Sequence, residues 1–133
     1  MPSPSSGRTA AERRKLLVIV EDDEALSAAL AFALEVEGYA TRAYPDAESF
    51  LAEATTADPD AFILDYRLPG LNGLALLDRI RQRSVTAPAI VITTPTPAVI
   101  AKAAAASATI VEKPLHAGDL MDVVRRLAGP PAD

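Results

Sequence analysis

Apolar residues in this chain fall into short runs, each closed by a polar residue, and the stretches between them repeat apolar positions three and four apart. The runs Leu16–Val20, Ala61–Leu64, Ala89–Ile92 and Thr109–Val111 are rich in aliphatic, largely β-branched residues and too brief for helices, so each is expected to be a buried strand. A further strand is expected over Tyr39–Tyr44. Helices are expected over Ala25–Glu37, Ala47–Thr55, Asn72–Gln82, Ala98–Ala106 and Asp119–Leu127. The first would turn Leu26, Ala29, Leu30, Ala33 and Leu34 to one face and end on Gly38; the third would turn Leu74, Leu77 and Ile80 inward. Ala98–Ala106 ends in an Ala103–Ala106 run, which favours helix but offers little to bury, so this helix should be loosely anchored.

Strands and helices that alternate in this way make parallel βα units. With right-handed crossovers the expected fold is α/β: a flavodoxin-like three-layer sandwich, its five-stranded parallel sheet in the order 2-1-3-4-5 and flanked by five helices. Ligands of such sheets bind beyond the carboxyl ends of the strands. Glu21, Asp22, Asp65, Thr93 and Lys113 each stand where an apolar run stops, and the order makes strands one and three neighbours. One pocket should therefore collect them.

Composition narrows what that pocket can hold. A chain of 133 residues is one domain, able to bury about two thirds of its unfolded surface. Residues 1–14, rich in Pro, Ser and Gly, are expected to be a disordered arm, 15–128 the domain and 129–133 a tail. No cysteine is present, which excludes disulfides and thiolate chemistry, so any metal must use oxygen ligands. A net charge of -5, with Arg13-Arg14-Lys15 as the one basic cluster, argues against a nucleic-acid groove. No targeting segment or membrane span is expected, because Leu16–Val20 is short and runs into Glu21-Asp22-Asp23-Glu24. Asp23 and Glu24 are expected to be solvated, near a helix N-terminus.

Adjacent carboxylates persist ionised beside a cation, and Mg2+ is the natural one: it takes oxygen ligands and keeps waters that a phosphate can replace. A carboxylate beside such a metal can act as a nucleophile and accept a phosphoryl group as an acyl phosphate. Phosphoryl transfer then asks for alignment and charge compensation, which Lys113 and Thr93 can supply.

The residues carrying this pattern resemble one family. Val18-Ile19-Val20-Glu21-Asp22-Asp23-Glu24 is similar to the acidic pair of the receiver domain of bacterial two-component response regulators. Asp65 to Gly73, with Pro69 and Gly73 four and eight residues after Asp65, is similar to its phosphoacceptor loop. Ile90–Thr93 and Glu112-Lys113-Pro114 complete the set, and the resemblance runs from about Lys15 to Leu127. It implies that Asp65 is the phosphoacceptor and that Glu21, Asp22, Asp65 and the backbone carbonyl of Arg67 hold Mg2+ directly or through water. Lys113 would pair with the phosphoryl oxygens, Thr93 would follow the phosphate, and the peptide before Pro114 would be cis. The implied partners are a histidine kinase or histidine phosphotransfer protein, docking on the first helix, and an unknown downstream protein; a homodimer is allowed, and the location is cytoplasmic. Apart from phosphoryl transfer to and hydrolysis from Asp65, no enzymatic activity is implied.

Some positions depart from the family pattern. Where an aromatic residue usually stands, three before the lysine, this chain has Ile110. Thr94, Pro95 and Pro97 narrow and stiffen the loop after Thr93, while Arg67 sets a long cation near the mouth of the pocket, where it can slow attack by water. These changes keep alternatives open: a pseudo-receiver binding module, a phosphate sink, or an aspartyl-phosphate phosphatase, which would need an acid where Arg67 stands. His116 is expected to be exposed at a helix start, and Phe32, Tyr39, Tyr44, Phe50 and Phe62 to pack in the core or at its edge.

Overall fold

A computed structural model describes residues 14–53 and 58–131. The elements are β1 (Leu16–Val20), α1 (Glu24–Glu37), β2 (Ala40–Tyr44), α2 (Ala47–Ala52), β3 (Ala61–Asp65), α3 (Gly73–Gln82), β4 (Ala89–Thr93), α4 (Pro97–Ala105), β5 (Ala108–Glu112) and α5 (Ala117–Ala128). All strand pairs are parallel, in the order β2-β1-β3-β4-β5. The expected strand order is the one found.

Period-two alternation explains how a sheet of nearly continuous apolar strands builds a layer on each face. Leu17, Ile19, Ala61, Ile63, Ile90 and Ile92 join Leu30 and Leu34 of α1 and Leu120, Met121 and Val124 of α5 in one core. Val18, Val20, Phe62 and Leu64 point the other way, onto Ala47 and Phe50 of α2 and Leu76, Leu77 and Ile80 of α3. Each fully buried aliphatic side chain of this kind contributes about 1.5–3 kcal/mol. A smaller cluster of Leu74, Val91, Val99 and Ala103 seats α4. Because α4 buries only Val99 and Ala103, it is the lightly anchored helix its alanines suggest.

The helix ends follow local chemistry. Asp23, Asp46, Asn72 and Thr96 cap α1, α2, α3 and α4 by accepting a backbone N–H three residues on. Gly38 ends α1 in the left-handed region, φ 110°, with its N–H on the Leu34 and Glu35 carbonyls.

Two expectations need correction. α2 stops at Ala52, with Glu53 already extended; Thr55, where it was expected to end, lies outside the described residues. Phe32 is 70% exposed and not in the packing, because it stands two residues from both Leu30 and Leu34, on the opposite side of α1. Most of the expected arm and the last two residues of the tail lie outside the described residues.

Candidate functional site

Strand register carries the acidic residues to one place. Val20 is paired with Leu64, so Glu21 and Asp65 emerge side by side from β1 and β3. The chain leaving β1 is tied down by Glu21 N–H donating to the Tyr44 carbonyl at 3.0 Å. Glu21, Asp22 and Asp65 each bring a carboxylate oxygen within 4.8 Å of the others. Glu21 and Asp65 are buried, at 3% and 5% exposure, and Asp22 is open to solvent.

The fourth and fifth strands supply the rest. Thr93 ends β4, buried, with its hydroxyl donating to the Thr94 carbonyl across a long 3.4 Å. Lys113 follows β5; its N–H donates to the Thr93 carbonyl at 2.9 Å, and its Nζ reaches Asp65 Oδ1 at 3.0 Å. The Lys113–Pro114 peptide is cis. Arg67 N–H donates to the same Asp65 oxygen at 3.2 Å, while the Arg67 side chain is exposed. Asp65 thus meets one ammonium and one amide on Oδ1, with two carboxylates beside it.

This arrangement leaves negative charge in excess. Burial, with the Asp65 charge as a lesser cause, pushes Glu21 up from 4.5 to about 7, against the lowering effect of the Asp23 N–H. Glu21 Oε2 accepts that N–H at 3.0 Å, but Oε1 is buried with no partner among the described residues. An orphaned buried carboxylate oxygen beside two more carboxylates is a donor set of hard oxygens, and it fits a small divalent cation such as Mg2+.

Sequence reasoning brought forward all five polar residues, and the fold gathers them. It missed three supports. Asp23 is solvated near a helix N-terminus as expected, where its carboxylate caps α1; the unforeseen part is that its amide fixes Glu21. Its place at the start of an apolar-periodic stretch was the available signal. A Cβ on Gly73 would stand 2.5 Å from the Asp65 carbonyl, so only glycine lets α3 begin against the end of β3. Tyr66, which follows Asp65, donates its N–H to Ile92 at 3.0 Å and accepts that of Gly73 at 2.9 Å. His116 is exposed and caps α5 by position only, without a side-chain hydrogen bond.

The fold is thus an open parallel α/β sheet with carboxylates, a hydroxyl and a lysine gathered at the carboxyl ends of its strands. The sequence model of the response regulator receiver domain matches residues 17–125, and the chain belongs to that family. It is 42% identical to the transcriptional regulatory protein CseB of Streptomyces coelicolor over 57% of this chain and 32% of that protein. Against the transcriptional regulatory protein FixJ of Rhizobium meliloti the figures are 30% identity over 81% of this chain and 54% of FixJ. The chain thus spans between a third and about half the length of these curated relatives. Among solved structures, the chemotaxis protein CheY4 of Vibrio cholerae superposes with a TM-score of 0.78 at 25% identity, covering 85% of this chain and 98% of CheY4. The structure of FixJ-N gives 0.77 at 28% identity over 86% of this chain and 93% of its own. This chain is the receiver domain of a two-component response regulator, a signalling module. No helix among the described residues is long and apolar enough to cross a membrane.

Proposed function

We propose that this domain accepts a phosphoryl group on Asp65 from a histidine kinase or histidine phosphotransfer protein, with Mg2+ held by Glu21, Asp22, Asp65 and the Arg67 carbonyl, and signals through a change in protein binding. The observation that carries this reading is the buried Asp65 carboxylate, 3.0 Å from the Lys113 ammonium and beside the carboxylates of Glu21 and Asp22. A bound magnesium ion would offset the carboxylate charge and draw in the phosphate oxygens.

The residues of the chain divide the work. An oxygen of Asp65 forms the new P–O bond as the donor's P–N bond breaks, and the electron pair of that bond leaves on the imidazole nitrogen. Lys113 stays near the same carboxylate and offsets the charge spread over the equatorial oxygens. Among the described residues Thr93 holds its hydroxyl only by the 3.4 Å contact to Thr94, so it is free to turn and donate to a phosphoryl oxygen. The setting we infer is cytoplasmic, where such donors act.

One observation favours a second reading, a binding module that phosphorylation does not switch: position 110 is a half-buried isoleucine with no polar tip or ring to reorient. Intact mass after incubation with acetyl phosphate separates the two. A single Mg2+-dependent phosphoryl adduct, lost in Asp65→Asn, is expected. No adduct, together with no magnesium binding in titration, would favour the unswitched module.

A further inference from the structure

The signal leaving Asp65 has an aromatic carrier close at hand, just past the end of β3 and away from position 110. Tyr66 follows Asp65 directly, and strand alternation sets its side chain on the face of Phe62 and Leu64, opposite in sense to that of Asp65. There it packs, half-buried, against the cluster of Leu74, Val91, Val99 and Ala103, which also receives Ile110. Val99 and Ala103 are the buried residues that hold α4. A single aromatic side chain therefore spans from the peptide next to Asp65 to the seat of α4, which two small side chains hold.

The linkage at the backbone is direct. Tyr66 C=O and Arg67 N–H belong to one peptide unit. Its oxygen accepts the Gly73 N–H at 2.9 Å, and its N–H donates to Asp65 Oδ1 at 3.2 Å. A change at Asp65 Oδ1 acts on one of the two bonds that orient this peptide. The ring also has space to respond: it lines an open cleft of about 430 Å³ between α3 and α4, with Asn72, Asp78 and Lys102 on the walls.

We propose that Tyr66 is the positioning residue that couples Asp65 to α4, taking the part that an aromatic at position 110 would play. This rests on the reading that Asp65 is phosphorylated. When the carboxylate becomes an acyl phosphate, the Arg67 N–H re-pairs, the Tyr66 peptide turns, and the ring moves relative to Val99 and Ala103. Ring area, not the hydroxyl, does the coupling, because two χ angles carry a large apolar surface into the cluster at small entropic cost.

The test combines intact mass with hydrogen exchange on the full chain, with and without acetyl phosphate and Mg2+, for wild type, Tyr66→Ala and Tyr66→Phe. Wild type should form the adduct and change amide protection in residues 97–105 by on the order of tenfold. Tyr66→Ala should form the adduct at the wild-type rate yet lose the α4 response, and Tyr66→Phe should restore it. Retention of the α4 response in Tyr66→Ala would overturn the coupling role while leaving phosphorylation intact. Absence of any adduct in wild type, together with no magnesium binding in titration, would overturn both readings. If Tyr66→Ala does not fold, 3-fluorotyrosine in the wild-type chain decides: the Tyr66 resonance should shift beyond the effect of Mg2+ alone, with buried Tyr39 and Tyr44 as references. A Tyr66 resonance that stays still with full adduct would remove the proposal.

Discussion

Two βα units lie side by side in this molecule and are built to different standards. β3 ends in Asp65 and leads to α3 through a loop pinned at Tyr66, Arg67 and the Asn72 cap. α3 then buries Leu74, Leu76, Leu77 and Ile80. β4 ends in Thr93 and leads to α4 through Thr94, Pro95 and the Thr96 cap, after which α4 buries Val99 and Ala103 alone. The first unit keeps the Asp65 carboxylate in register with Glu21 and Lys113. The second is held by two small buried side chains, so it is expected to open locally at a lower cost than the first.

The largest expected effect breaks this comparison at its base. Leu77 is fully buried in the main core, so Leu77→Ala should destabilise the whole domain by about 2–5 kcal/mol. Val99 sits in the satellite cluster at 8% exposure, and Val99→Ala removes two methyl groups, about 1–2 kcal/mol. Denaturant melts measure both. If α4 is a separable unit, Val99→Ala should raise exchange of α4 amides more than it lowers global stability; equal effects on α3 and α4 would show that the two helices unfold together.

A second experiment probes the charge stored beside the rigid unit. Glu21 is held up at about 7 by burial, against 4.5 for a free glutamate, so the folded chain keeps a proton that the unfolded chain has lost. With the folded state binding more protons, metal-free stability should fall as pH rises from about 4.5 through 7, by on the order of 2 kcal/mol. Glu21→Gln carries no such proton, so its thermal midpoint in chelator should be nearly flat over that range. Added Mg2+ should reverse the wild-type trend, since the cation needs the carboxylate. A wild-type midpoint in chelator that does not fall with pH would place Glu21 in a far more solvated setting than its 3% exposure implies.

What the sequence made legible follows the same division. Strand order and the convergence of Glu21, Asp22, Asp65, Thr93 and Lys113 could be read because buried parallel strands announce themselves as apolar runs and their ends fall on polar residues. Helical phase was harder: Phe32 counts as apolar in any tally, and only its spacing from Leu30 and Leu34 turns it to solvent. Backbone partners were not legible at all. Nothing in the letters says that Asp23 N–H meets Glu21, or that the Tyr66 peptide bridges Gly73 and Asp65, since every residue type carries the same amide.

The smallest effect concerns a side chain on the loop of the rigid unit. Arg67 makes two separable contributions: a main-chain N–H on Asp65 Oδ1 at 3.2 Å, and an exposed guanidinium two residues after Asp65. Arg67→Ala keeps the first and removes the second, so the adduct should still form on Asp65. Without the cation in the path of water, the acyl phosphate should hydrolyse about 3- to 10-fold faster, near 1 kcal/mol on the barrier. The lifetime is read from the decay of the phosphoryl mass after the phosphodonor is removed. Val99→Ala serves as the contrast, because loosening α4 should leave that lifetime close to wild type. An unchanged lifetime in Arg67→Ala would assign the guanidinium no kinetic role. A shortened one in Val99→Ala would mean that the lightly held unit reaches back into the chemistry, and that the two βα units are less independent than their packing suggests.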